Sequence, residues 1–127
     1  MVGFVIVSHS AKLAEGVVDL ARMMAKEVPI AAAGGLEDGG FGTSFEKIQR
    51  AVEQVYSDDG VILLMDMGSA VMTAEMVLES MEDKKLHMAD CPIVEGAVSG
   101  TLSAEAGSTL EEILDELAET GTMKKLS

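Results

Sequence analysis

Tryptophan is missing, and one tyrosine and three phenylalanines are the only aromatic residues in 127. So few flat rings leave no platform on which nucleobases could stack. The single cysteine, Cys91, cannot close an internal disulfide, which fits a reducing cytoplasm. Its expected place is that of a small buried hydrophobe near a strand end. Cations are scarce: nine Lys and Arg face 22 Asp and Glu, for a formal net charge of −13. Such a surface repels nucleic acid and anionic lipid, and it asks for protein partners with basic patches. No apolar run is long enough to cross a bilayer, and the amino-terminal stretch lacks the basic segment and cleavage site of a secretion signal. His9, His87, Cys91 and the acids show no metal-ligand spacing, so neither a metal nor a cofactor is expected.

What the chain has in plenty is aliphatic periodicity. It reads as one domain over residues 1–127, with an apolar fraction of 48% that supports a single core. Residues 2–10, VGFVIVSHS, form a near-continuous, β-branched run, as in a strand buried on both faces at the centre of a parallel sheet. Ser10 reads as the N-cap of a helix to about Lys26. Its expected inward stripe is Leu13, Val17, Leu20 and Met24, widened by Ala14, Val18, Ala21 and Ala25. Residues 29–33 suit a short strand. The glycine-rich stretch 34–44 has neither a Walker nor a dinucleotide pattern. Thr43 and Glu46 read as a capping box ahead of a helix lined by Phe45, Ile48, Val52 and Val55.

Residues 61–65 make a second buried strand, which ends in Asp66-Met67-Gly68-Ser69. The helix expected over 70–81 is apolar on most sides, so it needs cover beyond the sheet, and a homodimer through this helix is the simple solution. Residues 86–89 read as a short strand with His87 facing outward in a structural role. Asp90-Cys91-Pro92 opens a helix whose Gly96, Gly100 and Ser103 permit close packing. Ser108 and Glu111 read as the capping box of a last helix carrying Leu110, Ile113, Leu114 and Leu117, and the residues after about 121 as frayed. The alternation predicts an α/β fold: a three-layer, open, mostly parallel sheet with helices on both faces. With strand order 2-1-3-4, His9 and Asp66 would stand side by side at the carboxyl edge, where such sheets bind ligands.

One imidazole in a strand-to-helix turn, beside helix amino termini that suit an anion, points to a phosphate-carrying histidine. The nucleophile must be a ring nitrogen free of its proton, and the other nitrogen must be held and oriented by a carboxylate. His9 and Asp66 fit those two roles. Phosphoryl transfer rests mainly on positioning and charge stabilisation. Ser10, Gly42, Thr43, Gly68 and Ser69 are the candidate phosphate-binding residues, and Lys12 is the only cation near them in sequence. A receiver domain with Asp66 as phosphoacceptor would need an acidic cluster after the first strand, where Ser-His-Ser stands instead. A non-catalytic ligand-binding or regulatory module, with His9 as a polar contact, stays open.

The stretches VIVSHS (5–10), LAEGVVDLA (13–21), Gly42-Thr43, MDMGSA (65–70) and PIVEGA (92–97) give the chain a family resemblance. It resembles the phosphotransferase subunit of dihydroxyacetone kinase, whose domain is similar to the mannose-type enzyme IIA fold. Sugar-transporting members tend instead to read Gly-Thr-His-Gly and Gly-Gly-Ser-Pro at the two strand ends. The resemblance implies that His9 accepts a phosphoryl group from the histidine-containing phosphocarrier protein. It further implies that the group passes to ADP in the nucleotide-binding subunit of the kinase. The alternative within the family is an enzyme IIA component that serves a sugar permease. The chain is too short for the phosphocarrier domains fused to some members, so a separate donor is expected. The family fold also implies a late antiparallel edge strand.

Overall fold

The computed structural model describes residues 1–126. Four strands, β1 (Gly3–Ser8), β2 (Ile30–Gly34), β3 (Val61–Met65) and β4 (Leu86–Met88), form one parallel sheet in the order β2-β1-β3-β4. Every residue of β1 is buried, as its unbroken apolar run requires of the strand with neighbours on both sides. The register sets Ser8 opposite Gly34 and Val7 opposite Met65, so β1 and β3 end level and release their chains at the same edge.

Five helices cover the two faces: α1 (Ala11–Met24), α2 (Phe45–Val55), α3 (Ser69–Ser80), α4 (Ile93–Glu105) and α5 (Leu110–Thr120). Phe4, Ile6, Ile62 and Leu64 point to one side and pack with α1, α4 and α5. Val5, Val7, Val61 and Leu63 point to the other and pack with α2 and α3. Alternate residues of each strand thus feed two separate cores, as the period of two dictates. Helix α4 lies close to the sheet because it has no side chain at Gly100, where a Cβ would stand 2.9 Å from the Phe4 ring. The third member of the expected small-residue stripe, Ser103, instead donates to Glu116 of α5 at 2.5 Å.

Several expectations are corrected. Helix α1 buries Ala14, Val17 and Ala21, followed by Ala25, whereas Leu13, Leu20 and Met24 face solvent. The alanines allow a closer approach to the sheet than leucine would, so they take the inner face. The cap of α2 is Ser44, which accepts from the Lys47 N–H at 3.2 Å, because the Thr43 hydroxyl is engaged elsewhere. The capping box of α5 is Thr109 with Glu112. Ser108 belongs to the end of α4, where its N–H closes on the Ser103 carbonyl at 3.0 Å after the left-handed Gly107. Pro92 is the N-cap residue of α4, not part of its first turn. No fifth strand exists among the described residues. The segment after α4 carries Leu110, Ile113 and Leu117 at helical rather than alternating spacing, and it packs as α5. His87 is exposed on β4, as its alternation with Leu86 requires.

Candidate functional site

Strands β1 and β3 deliver His9 and Asp66 to adjacent turns, and a network of short polar contacts joins them. The Asp66 carboxylate accepts four hydrogen bonds. Oδ2 takes the Ser8 hydroxyl at 2.9 Å and the His9 N–H at 3.0 Å. Oδ1 takes the Met67 N–H at 2.7 Å and faces His9 Nδ1 at 3.0 Å. Burial pushes this carboxyl up, but the bonds from the His9 N–H, the Ser8 hydroxyl, the His9 ring and the Met67 N–H together hold it below the usual carboxylate value. An ionised carboxylate only accepts, so Nδ1 must carry the ring proton. In the neutral ring Nε2 then keeps its lone pair, and the Ser69 hydroxyl, 2.6 Å away, donates to it. The His9 side chain is 27% exposed and that of Asp66 12%. The ring is therefore more open to solvent than its orienting partner.

The remaining candidates divide by what their donors already do. Ser10 is committed to local structure: its N–H goes to the Ser8 hydroxyl at 3.0 Å, and its own hydroxyl caps the Leu13 N–H at 3.2 Å. The Gly42 N–H holds the His9 carbonyl at 2.9 Å and so ties the glycine-rich loop to the turn. Thr43 meets Thr73 of α3, hydroxyl to hydroxyl, at 3.0 Å, and Thr73 in turn donates to the Ser69 carbonyl at 2.8 Å. Gly68 starts α3 without a side-chain cap, at a φ of 45° that favours glycine. Its N–H and that of Ser69 lie at a helix start beside Nε2, where an anion is stabilised.

The structure thus joins His9, Asp66, Ser69 and Thr43 in one constellation, with Gly68 at its rim and Ser10 and Gly42 as supports. Lys12 is exposed on α1 and makes no hydrogen bond to the site. Two residues not singled out by sequence enter it. Ser8, fully buried, holds both Asp66 and the Ser10 N–H; a hydroxyl ending an otherwise apolar buried strand was its signal. Thr73 follows Ser69 by one helical turn, a spacing that places both on one face. No cluster of His, Cys, Asp and Glu able to hold a metal occurs among the described residues. No helix among them is long and apolar enough to cross a membrane. Cys91 is half-buried against the α1–α4–α5 core, and burial pushes its thiol up to about 11, so it is an inert packing group.

Comparison with known proteins gives a consistent result. Residues 3–114 match the family described as the PTS system fructose IIA component, the mannose-type enzyme IIA. The phosphotransferase subunit of the PTS-dependent dihydroxyacetone kinase of Lactococcus lactis is 42% identical over 91% of this chain and 92% of its own. The phosphoryl donor subunit of the PEP-dependent dihydroxyacetone kinase of Escherichia coli is 40% identical over 90% of this chain, which spans only 26% of that longer protein. Among solved structures, a protein of unknown function superposes with a TM-score of 0.87 at 28% identity, covering 99% of this chain and 98% of its own. The phosphotransferase component enzyme IIA of Streptococcus agalactiae shares the fold, with a TM-score of 0.72 at 15% identity over 96% of this chain and 93% of its own. The chain belongs to the mannose-type enzyme IIA family.

Proposed function

We propose that this protein is a phosphohistidine carrier of the dihydroxyacetone kinase type. The observation that carries the reading is the His9 ring, with Nδ1 held by Asp66 and Nε2 presented at the surface against Ser69. Its donor is the histidine-containing phosphocarrier protein. The Nε2 lone pair attacks the donor's phosphorus in line, the P–N bond to the donor breaks, and its electron pair returns to the donor ring. The Ser69 hydroxyl leaves Nε2 for a phosphoryl oxygen, and the Gly68 and Ser69 N–H groups meet the same group, while the Thr43 hydroxyl gives its proton to Thr73 and so steadies the Ser69 turn. Asp66 keeps the Nδ1 proton and balances the positive charge that the ring gains. The group then passes to ADP in the nucleotide-binding subunit of the kinase. The names of the Lactococcus and Escherichia relatives favour that acceptor over a sugar permease.

The test is labelling with phosphoenolpyruvate and the two general phosphotransferase proteins. Acid-labile, base-stable phosphate should appear on His9 and vanish in His9→Ala. Label on another residue, or label retained in the variant, would remove His9 from the reaction. Labelled protein mixed with an ADP-loaded kinase subunit should then lose its phosphate and form ATP; drainage only by a sugar-permease IIB domain would assign the other acceptor.

We also propose a homodimer, through the groove on α4 and α5; the α3 face expected from sequence, with Met72 and Met76 exposed, is the alternative. The groove on α4 and α5 is lined by Val94, Val98, Leu102 and Met123, with Glu95, Glu116, Lys124 and Lys125 at its rim. A patch with both signs can pair with itself across a two-fold axis. Sedimentation should give a dimer at micromolar concentration and a monomer for Leu102→Asp.

A further inference from the structure

The contacts around Ser69 suit a second kind of chemistry. Its hydroxyl lies 2.6 Å from His9 Nε2, and His9 Nδ1 lies 3.0 Å from Asp66 Oδ1. Because the ionised carboxylate keeps a proton on Nδ1, the Nε2 lone pair faces the Ser69 proton. Nucleophile, base and orienting carboxylate are thus each within hydrogen-bond reach of the next, the arrangement that activates a serine. That constellation recurs on unrelated folds and is recognised by geometry, whatever the order of its members in the chain. The backbone supplies the rest. Ser69 opens α3 where the chain leaves β3, and it is exposed. A strand-to-helix turn at the sheet edge is also where α/β hydrolases hold their nucleophile. At Gly68 nothing stands within 4 Å of where a Cβ would be, so the turn is open to an incoming molecule. Neither the Gly68 nor the Ser69 N–H has a hydrogen-bond partner among the described residues, and both remain for an oxyanion. Thr73 fixes the turn by donating to the Ser69 carbonyl at 2.8 Å.

We propose that Ser69 is a nucleophile with an activity of its own: it takes the acyl group of small, activated carboxylic esters and hydrolyses them slowly. Oγ attacks the carbonyl carbon while its proton passes to Nε2, and the Gly68 and Ser69 N–H groups face the oxyanion. The C–O bond to the leaving alcohol breaks, and the departing oxygen takes the proton from Nε2. Water then gives a proton to the same nitrogen as it attacks the acyl-serine. The acid leaves, and the proton returns to Oγ. Asp66 holds Nδ1 throughout. An exposed site keeps water near the oxyanion, which weakens its stabilisation, so esters with good leaving groups are the substrates. No phosphoryl transfer enters, and the activity is independent of the carrier reading.

The probe is p-nitrophenyl acetate, with nitrophenolate release followed in time and the acetyl group located by mass spectrometry after an acid quench. Acetyl should appear on Ser69. Ser69→Ala and His9→Ala should each lower the initial rate at least about tenfold, and the double variant no further, as for residues that act as a unit. Thermal melts check that the variants fold. Imidazole alone also attacks such esters, and that supplies the overturning result. A rate retained in Ser69→Ala, with acetyl on His9, would make His9 the nucleophile and Ser69 only its hydrogen-bond partner. Acetyl confined to amines, or a wild type no faster than the double variant, would overturn the activity equally. Acetylation of Ser69 in a protein that phosphoenolpyruvate does not label would uphold the activity and remove the carrier reading; label on His9 without acetyl on Ser69 would do the reverse.

Discussion

Two helices begin within reach of His9, and they begin differently. At α1, Ser10 caps the Leu13 N–H and sends its own N–H to the Ser8 hydroxyl. At α3, the N-cap is Gly68, with no side chain to offer, and the Ser69 hydroxyl points to Nε2. The first start has a side-chain cap, and the second has none. Sequence alone favours α1, because it follows His9 directly. In the proposed carrier the phosphate would lie at α3, across the sheet crevice, while the cap of α1 holds the turn. A helix start is an anion site only where its donors have not been used for something else.

Breaking the bridge between the two turns should have the largest effect. In Asp66→Asn the amide can present a donor to Nδ1 and cannot balance a charged ring; transfer should fall at least about 100-fold, the upper range for partners that orient a reactive imidazole. Stopped-flow transfer with unchanged donor affinity is the check, and a change under threefold would detach Asp66 from the chemistry. Ser69→Ala tests the uncapped start: loss of one positioned donor should cost about 100-fold in single-turnover rate at most. Because Asp66 has its carboxyl lowered, its contribution to stability is present above the ordinary value of 3.8 and is lost as the pH falls through its lower folded value. Thermal melts should show the Asp66→Asn destabilisation at neutral pH and see it fade in acid below that value. The smallest effect belongs to the capped start. Ser10→Ala should lower stability by about 1 kcal/mol, the usual cost of an N-cap, while transfer stays within about threefold; a loss as large as that of Ser69→Ala would erase the contrast.

Much of this was legible in the residues. The runs ending at Ser8 and Met65 announce buried strands, and the strand–helix alternation with order 2-1-3-4 then puts His9 beside Asp66. What escaped depended on packing between segments distant in sequence. Leucines outrank alanines on any hydrophobic scale, so Leu13, Leu20 and Met24 read as the inner face of α1. Gly34 shows why they are not: a Cβ there would lie 2.5 Å from the Ser10 carbonyl and 2.8 Å from the Ala14 methyl, so this helix sits too low for large inward side chains. Ser8 and Thr73 escaped because their partners, Asp66 and Thr43, are brought to them only by strand register and by the docking of the glycine-rich loop. The cap of α5 moved by one residue because the end of α4 had already claimed Ser108.

The four bonds on the Asp66 carboxylate have a further consequence. Three of them, from Ser8, His9 and Met67, are independent of the state of the ring and fix the carboxylate by folding alone. The fourth, from Nδ1, is on the side of the ring away from the reacting nitrogen. In the proposed carrier, loading and unloading Nε2 would then leave the orienting contacts intact, with only the Ser69 hydroxyl turning. Little reorganisation energy would separate the two forms. Such a relay would sit near equilibrium with its neighbours, running in whichever direction their phosphorylation levels drive it.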